Sequence, residues 1–330
     1  MNIGEVFAIE KQNKKIVVKR ARMSAAICVF ALALMFAFQL LAAYLQSIIQ
    51  SKTTVFENSS LSFLIDIFMY IFYIAVPFGI AALIFKAYHK NTSIFLPKRS
   101  APKYAALYII GAVGAGYVLN LLINLLFPSF VEFFSVEANI TADNPLDIIL
   151  CIIMVAVLPA VLEEWAFRGV LLKNLLPYGR TGAVVISSML FGLAHLDPPR
   201  IIFATAFGLV LGMCYEYTGS LLISIIIHFI NNSISVIVTL IPENSALLLI
   251  IGSLLFCFMG CGIAAVIVYS IKGIKKKSVT LNKQAHYGYT LSTGKYVSRM
   301  FLNFAFIPFI LVYAFIFILS YFPQLFIGLL

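Results

Sequence analysis

Long apolar runs follow one another along this 330-residue chain, and the hydrocarbon core of a bilayer asks for about 20 such residues per spanning helix. They cover Met23–Ile49, Leu61–Ala87, Tyr104–Phe127, Leu146–Leu176, Gly182–Leu196, Ile201–Tyr215, Leu221–Leu240, Ala246–Ile271 and Met300–Tyr321. The fifth and sixth are short and the fourth is long, enough for its end to tilt toward the interface. Hydrophobic residues make up 62% of the chain and charged residues 11%, against roughly a quarter charged in a soluble domain. That is too little polar surface to coat a water-soluble globule. The expected fold is therefore all-α: a polytopic transmembrane helical bundle of about nine spans, with eight as the alternative count.

The formal net charge of +10 would fit a nucleic-acid binder, but the position of the charges speaks against one. They cluster in short connections beside the apolar runs, where positive residues mark the cytoplasmic side. Lys11, Lys14, Lys15, Lys19, Arg20 and Arg22 precede the first run, which puts the N-terminus inside. Alternation then places Lys90, Lys98, Arg99, Lys103, Lys173 and Arg180 inside, with Lys272, Lys275, Lys276, Lys277, Lys283, Lys295 and Arg299. The expected outer loops hold Glu57, Glu132, Glu137, Asp143 and Glu243. Nine spans satisfy the rule at every loop. The first 22 residues are basic and the run after them is too long for a signal peptide, so no cleavable leader is expected.

This divides the chain into a basic segment, 1–22; N-terminal membrane helices, 23–103; a membrane core, 104–240; and C-terminal helices with a basic loop, 241–330. Residues 272–299 read as a solvated cytoplasmic loop, with contact to anionic lipid as the lesser reading. Cys28, Cys151, Cys214, Cys257 and Cys261 fall inside apolar runs with no CxxC pair and read as buried thiols. No internal repeat is visible, which counts against transporters built from duplicated halves.

An ionisable residue deep in a spanning helix calls for a functional explanation by default. Three places meet that description. In the fourth run stand Glu163 and Glu164, with Arg168 four residues after Glu164, the spacing at which a helix sets carboxylate and guanidinium side by side. Glu164 and Arg168 then support the structure. Glu163, about 100° around the helix, lacks a partner on its own helix and is free to act. Pro159, four residues earlier, removes a helix hydrogen bond and is expected to kink the segment, opening it to water. The second place is His195, one turn after Phe191, which can wall it from lipid. The third is His228 with Asn232, four apart on one helical face. His89 and His286 fall in expected loops.

Depth allows these residues to meet. At 1.5 Å per residue, Glu163 lies about 20 Å from Leu176, His195 about 20 Å from Gly182, Asn232 about 18 Å and His228 about 12 Å from Ser220. Gly208 and Gly212 form a GxxxG pair that lets the sixth helix approach its neighbours closely.

Glu-Glu-x-x-x-Arg, Phe-x-x-x-His and His-x-x-x-Asn on successive membrane helices resemble the CPBP family of type II CAAX prenyl endopeptidases and Abi bacteriocin-processing or immunity proteins. Glu163, Glu164 and Arg168 match the first motif, Phe191 and His195 the second, His228 and Asn232 the third. The likeness covers roughly residues 105–240. It implies an integral protein of the bacterial plasma membrane that acts on a membrane-associated peptide or protein substrate and has no nucleic-acid partner. Members of the family are described as metalloproteases, and a metal-independent glutamate mechanism is the alternative. HExxH, the helix signature that makes zinc obvious, is absent from this sequence.

The expected chemistry is peptide-bond hydrolysis. Glu163, oriented by His195, activates a water, and His228 and Asn232 stabilise the oxyanion. In the zinc version, Glu163, His195 and His228 are the ligands and water takes the open fourth position. Two other classes stay open: a non-catalytic scaffold or immunity protein that keeps the motifs for packing, and a transporter.

Overall fold

The computed structural model describes residues 3–53, 58–88, 105–134, 144–241, 246–276, 291–303 and 305–321. Among them there is no strand. The helices are α1 (Ile3–Lys52), α2 (Ser59–Tyr88), α3 (Ala105–Leu126), α4 (Pro145–Tyr178), α5 (Arg180–Leu193), α6 (Pro198–Thr218), α7 (Leu221–Leu240), α8 (Ala246–Lys276), α9 (Thr293–Phe301) and α10 (Phe306–Tyr321). A short helix, Pro128–Phe134, follows α3. The chain is an integral membrane protein: six of these helices are long and apolar enough to cross a bilayer, and α9–α10 makes a seventh if counted as one bent span. Helix α5 and the apolar stretch Leu249–Gly262 of α8 are shorter. Large apolar side chains face outward, Leu249 and Phe256 each 75% exposed, a surface that only lipid covers favourably.

Local signals set the ends of the central helices. Asn144 caps α4, its side chain accepting from Asp147 N at 3.1 Å, with Pro145 in the first turn; proline fits there because that N–H has no intrahelical partner anyway. Asp197 caps α6 in the same way, followed by Pro198, and Gly219 closes it with φ of 67°, a left-handed conformation that glycine adopts without strain.

Helix α4 runs through Pro159 without a break. Its turns widen to π-helix over Ile153–Val157 and Trp165–Leu172, on either side of Pro159. Such bulges change which carbonyls are available inside a helix and gather at functional sites. The bundle packs on small residues. A methyl at Gly208 would stand 3.1 Å from Phe191 Cδ1 and 3.2 Å from Ser188 Cα, so α6 lies directly on α5. A methyl at Gly262 would reach 2.6 Å from Ala115 N, which brings α8 equally close to α3.

Helix α1 takes in most of the basic N-terminal segment, beginning at Ile3. Two expectations are corrected. The ninth run is bent rather than straight: Thr293–Phe301 and Phe306–Ile318 meet at 68°, and Met300 belongs to the first piece. Residues 291–299 are also not a solvated loop. Leu291, Tyr296 and Met300 are buried, because Tyr296 and Met300 are one turn apart and form the inward face of amphipathic α9. Tyr296 Oη donates to Leu175 O at 3.0 Å, and Leu291 N to Tyr178 O at 2.9 Å. Lys90, Lys98, Arg99, Lys103, Lys277, Lys283, Glu57, Glu137, Asp143, Glu243, His89 and His286 lie outside the described residues.

Candidate active site

Helices α2, α4, α5, α6 and α7 bring the three motifs to one buried network. Its centre is Glu164, fully buried, whose Oε1 accepts from Arg168 Nη1 at 2.7 Å and meets His228 Nδ1 at 3.0 Å. Arg168, 1% exposed, also donates from Nη2 to Gly208 O at 3.2 Å and lies 4.5 Å above the Phe191 ring. Buried charges persist only when paired and hydrogen-bonded, and Arg168 has a carboxylate, a carbonyl and an aromatic face. The i, i+4 pair is therefore as expected, with one addition: Glu164 also holds the histidine of the third motif.

Glu163 points elsewhere. Its Oε1 accepts from Tyr70 Oη at 2.6 Å, and its Oε2 stands 3.9 Å from His228 Nε2. The second distance is too long for a direct hydrogen bond. The side chain is 15% exposed, unlike the sealed Glu164. Tyr70, from α2, is the residue that the sequence reading missed. It makes the hydrogen bond to Glu163 that was expected of His195. A tyrosine one turn past Asp66 in an apolar helix was the available signal, but tyrosines are common in such helices and no motif marks it.

A carboxylate and a carbonyl can only accept, so each fixes the tautomer of the imidazole it meets. His228 carries its proton on Nδ1 toward Glu164. His195 carries its own on Nδ1 toward Phe191 O, 3.0 Å away. In the neutral form of each ring, Nε2 is then the acceptor. His195 lies just past the end of α5, not within a helix, its N–H bonded to Gly192 O at 3.0 Å and its carbonyl accepting from Tyr313 Oη of α10 at 2.9 Å. Phe191 packs edge-on against both imidazoles, at 5.4 Å from His195 and 5.9 Å from His228.

Asn232 has a structural task alongside any chemical one. Its Nδ2 donates to Val155 O at 3.2 Å. Val155 is four residues before Pro159, so this is the carbonyl that the missing proline N–H would have bonded in a regular helix. The side-chain amide replaces it and ties α7 to α4. Asn231 Nδ2 donates to Asn232 Oδ1 at 3.2 Å, which fixes the orientation of the amide.

Zinc would need Glu163, His195 and His228 converging on one point at about 2.0–2.2 Å each. The two free Nε2 atoms and the carboxylate have the right chemistry. Their placement does not gather them: among the described residues, no group of three or more His, Cys, Asp or Glu side chains is disposed to hold a metal ion.

Comparison with known proteins agrees with the motifs. Residues 145–234 match the family model for type II CAAX prenyl endopeptidase, Rce1-like proteins. A putative membrane peptidase of Bacillus subtilis (strain 168), YdiL, is 32% identical over 115 residues, which cover 32% of this chain and 46% of that protein. The chain thus spans a little under half of that relative's length. No solved structure matches. All seven motif residues fall inside the matched stretch, so the likeness to type II CAAX prenyl endopeptidase, Rce1-like proteins rests on residues 145–234, the part of the chain that carries the glutamate–histidine network.

Proposed function

We propose that this chain is an intramembrane endopeptidase that hydrolyses a peptide bond of a membrane-associated protein or peptide, with Glu163 as general base. The observation that carries this reading is the unequal state of the two Glu163 oxygens. Oε1 is fixed by the Tyr70 phenol, while Oε2 faces Nε2 of His228 across 3.9 Å. One water can hydrogen-bond to both atoms across such a gap. Glu163 takes its proton, the oxygen attacks the peptide carbonyl carbon, and the same proton passes to the leaving nitrogen as the C–N bond breaks.

An amide nitrogen has two hydrogens. Asn232 uses one on Val155 O and offers the other to the oxyanion. His228, held through Nδ1 by Glu164, keeps Nε2 turned toward the attacking water and the site of the oxyanion. His195 supplies an acceptor for a substrate N–H, and Arg168 with Glu164 keeps His228 in register. No step here runs through a metal.

The test is cleavage of membrane-anchored peptides by purified protein in proteoliposomes, wild type beside Glu163→Gln, each with and without phenanthroline. The expected result is cleavage that survives the chelator in wild type and is lost in the variant. Inactivation by phenanthroline with rescue by added zinc would replace the metal-free mechanism. Cleavage by neither protein would leave the network as packing in a scaffold or immunity protein, and equal cleavage by both would take the base role away from Glu163. Substrate flux without cleavage would favour a transporter.

A further inference from the structure

A second site shares no residue with the glutamate–histidine network. The basic end of α1 and the start of the α9–α10 bend enclose a cavity of about 710 Å³. Its charged lining is Lys14, Lys15, Lys19 and Arg22 from α1 and Arg299 from α9, and no lining residue is acidic. Val18, Met23 and Leu302 supply apolar wall. Lys15, Lys19 and Arg22 follow at intervals of four and three, which puts them on one helical face.

We propose that this cavity binds the headgroup of an anionic phospholipid. Three observations support a lipid rather than a diffuse basic surface. The first is that the site is built. Arg22 and Arg299 are 277 residues apart in sequence, yet Asn303, four residues past Arg299 and 4% exposed, donates from Nδ2 to Arg22 O at 2.7 Å. Tyr296, on the inward face of α9, fixes that helix through Leu175 O. The second is depth. The apolar run of α1 begins at Met23, so Arg22 stands at the hydrocarbon boundary and Lys14 about 12 Å further out along the axis. The polar layer on each side of a bilayer is about 5–7 Å thick, so the cations line the phosphate level and the water just beyond it. The third is the mixed lining. Leu302, 70% exposed, and Met23, 42% exposed, stand where the acyl chain would leave the headgroup. A small soluble phosphate has no use for that apolar rim.

Cations at this depth attract anionic lipids additively, and a fixed pair of walls turns that attraction into a site. The full-length protein in neutral detergent is titrated with phosphatidylglycerol, phosphatidylcholine and inorganic phosphate, and bound species are counted by native mass spectrometry. Retention of phosphatidylglycerol at least about tenfold tighter than phosphatidylcholine is expected, and Lys15→Gln/Lys19→Gln/Arg299→Gln should remove that preference. Lys52→Gln, at the other end of α1, should leave it unchanged. If the triple variant melts early, Arg299→Gln alone serves, with an expected loss of about threefold. Equal retention of the two lipids, a full preference in the Arg299 variant, or displacement of the lipid by an equal concentration of inorganic phosphate would overturn the assignment.

Discussion

Two acidic residues of helix α4, Asp147 and Glu163, are finished differently. Asp147, in the first turn, is fully buried, and both of its oxygens are occupied: Oδ2 accepts from Ser59 Oγ at 2.6 Å and Asn144 Nδ2 at 3.0 Å, and Oδ1 accepts from Ser60 Oγ. Glu163 lies 16 residues further along, about 24 Å at the helical rise. There one oxygen is held and the other faces an imidazole that does not reach it. Both residues join α4 to α2, Asp147 through Ser59 and Ser60, Glu163 through Tyr70. A carboxylate saturated by fixed hydroxyl and amide donors has nothing left to offer a substrate, so Asp147 reads as a pin. Glu163, with one oxygen steadied by Tyr70 and its side chain 15% exposed beside His228, fits the proposed base.

The largest expected effect falls on the residue between these extremes. Glu164→Ala strands Arg168 in a site where it is 1% exposed, and removing one partner of a buried pair costs about 3–5 kcal/mol. The variant should fail to accumulate or melt far below wild type; normal abundance and an unchanged melting curve would show that Arg168 needs no counterion. Glu163→Gln should lower turnover by at least about 100-fold with abundance near normal, a separation that quantitative blotting beside a rate measurement can read. Asp147→Asn should do the reverse. Loss of charge-assisted bonds from Ser59 and Ser60 costs about 1–3 kcal/mol of stability, while the rate per folded molecule stays at the wild-type value. A drop in that rate without loss of stability would break the distinction between pin and base. The smallest effect is expected for Tyr70→Phe, which removes only the hydrogen bond to Glu163. Turnover should fall by roughly tenfold, with an unchanged KM. A change in KM alone would place Tyr70 against substrate instead of behind the base.

Much of the bundle was legible in the chain because lipid leaves helices few alternatives, so run length sets helix existence. The Glu164–Arg168 pair was legible because four residues on one helix meet whatever the tertiary fold does. Tyr70 was not, since its partner is 93 residues away and nothing in an apolar helix announces which tyrosine faces inward. The bend after Phe301 was missed for a related reason. Hydropathy sums over Met300–Tyr321 without registering that Tyr296 and Met300 form a separate inward face.

Taken alone, the sequence determined the membrane solvent, the helical class, the three motifs and the pairing of Glu164 with Arg168, all of which depend on composition or on spacing within one helix. Only the tertiary structure decided that His228 is held by Glu164, that Tyr70 steadies Glu163, that Asn232 serves the carbonyl freed by Pro159, and that Arg299 comes to lie beside Arg22. Each of those contacts joins separate helices, and how two helices rotate and slide against each other is set by the close packing of side chains such as Phe191 against Gly208, which no periodicity along a single chain encodes.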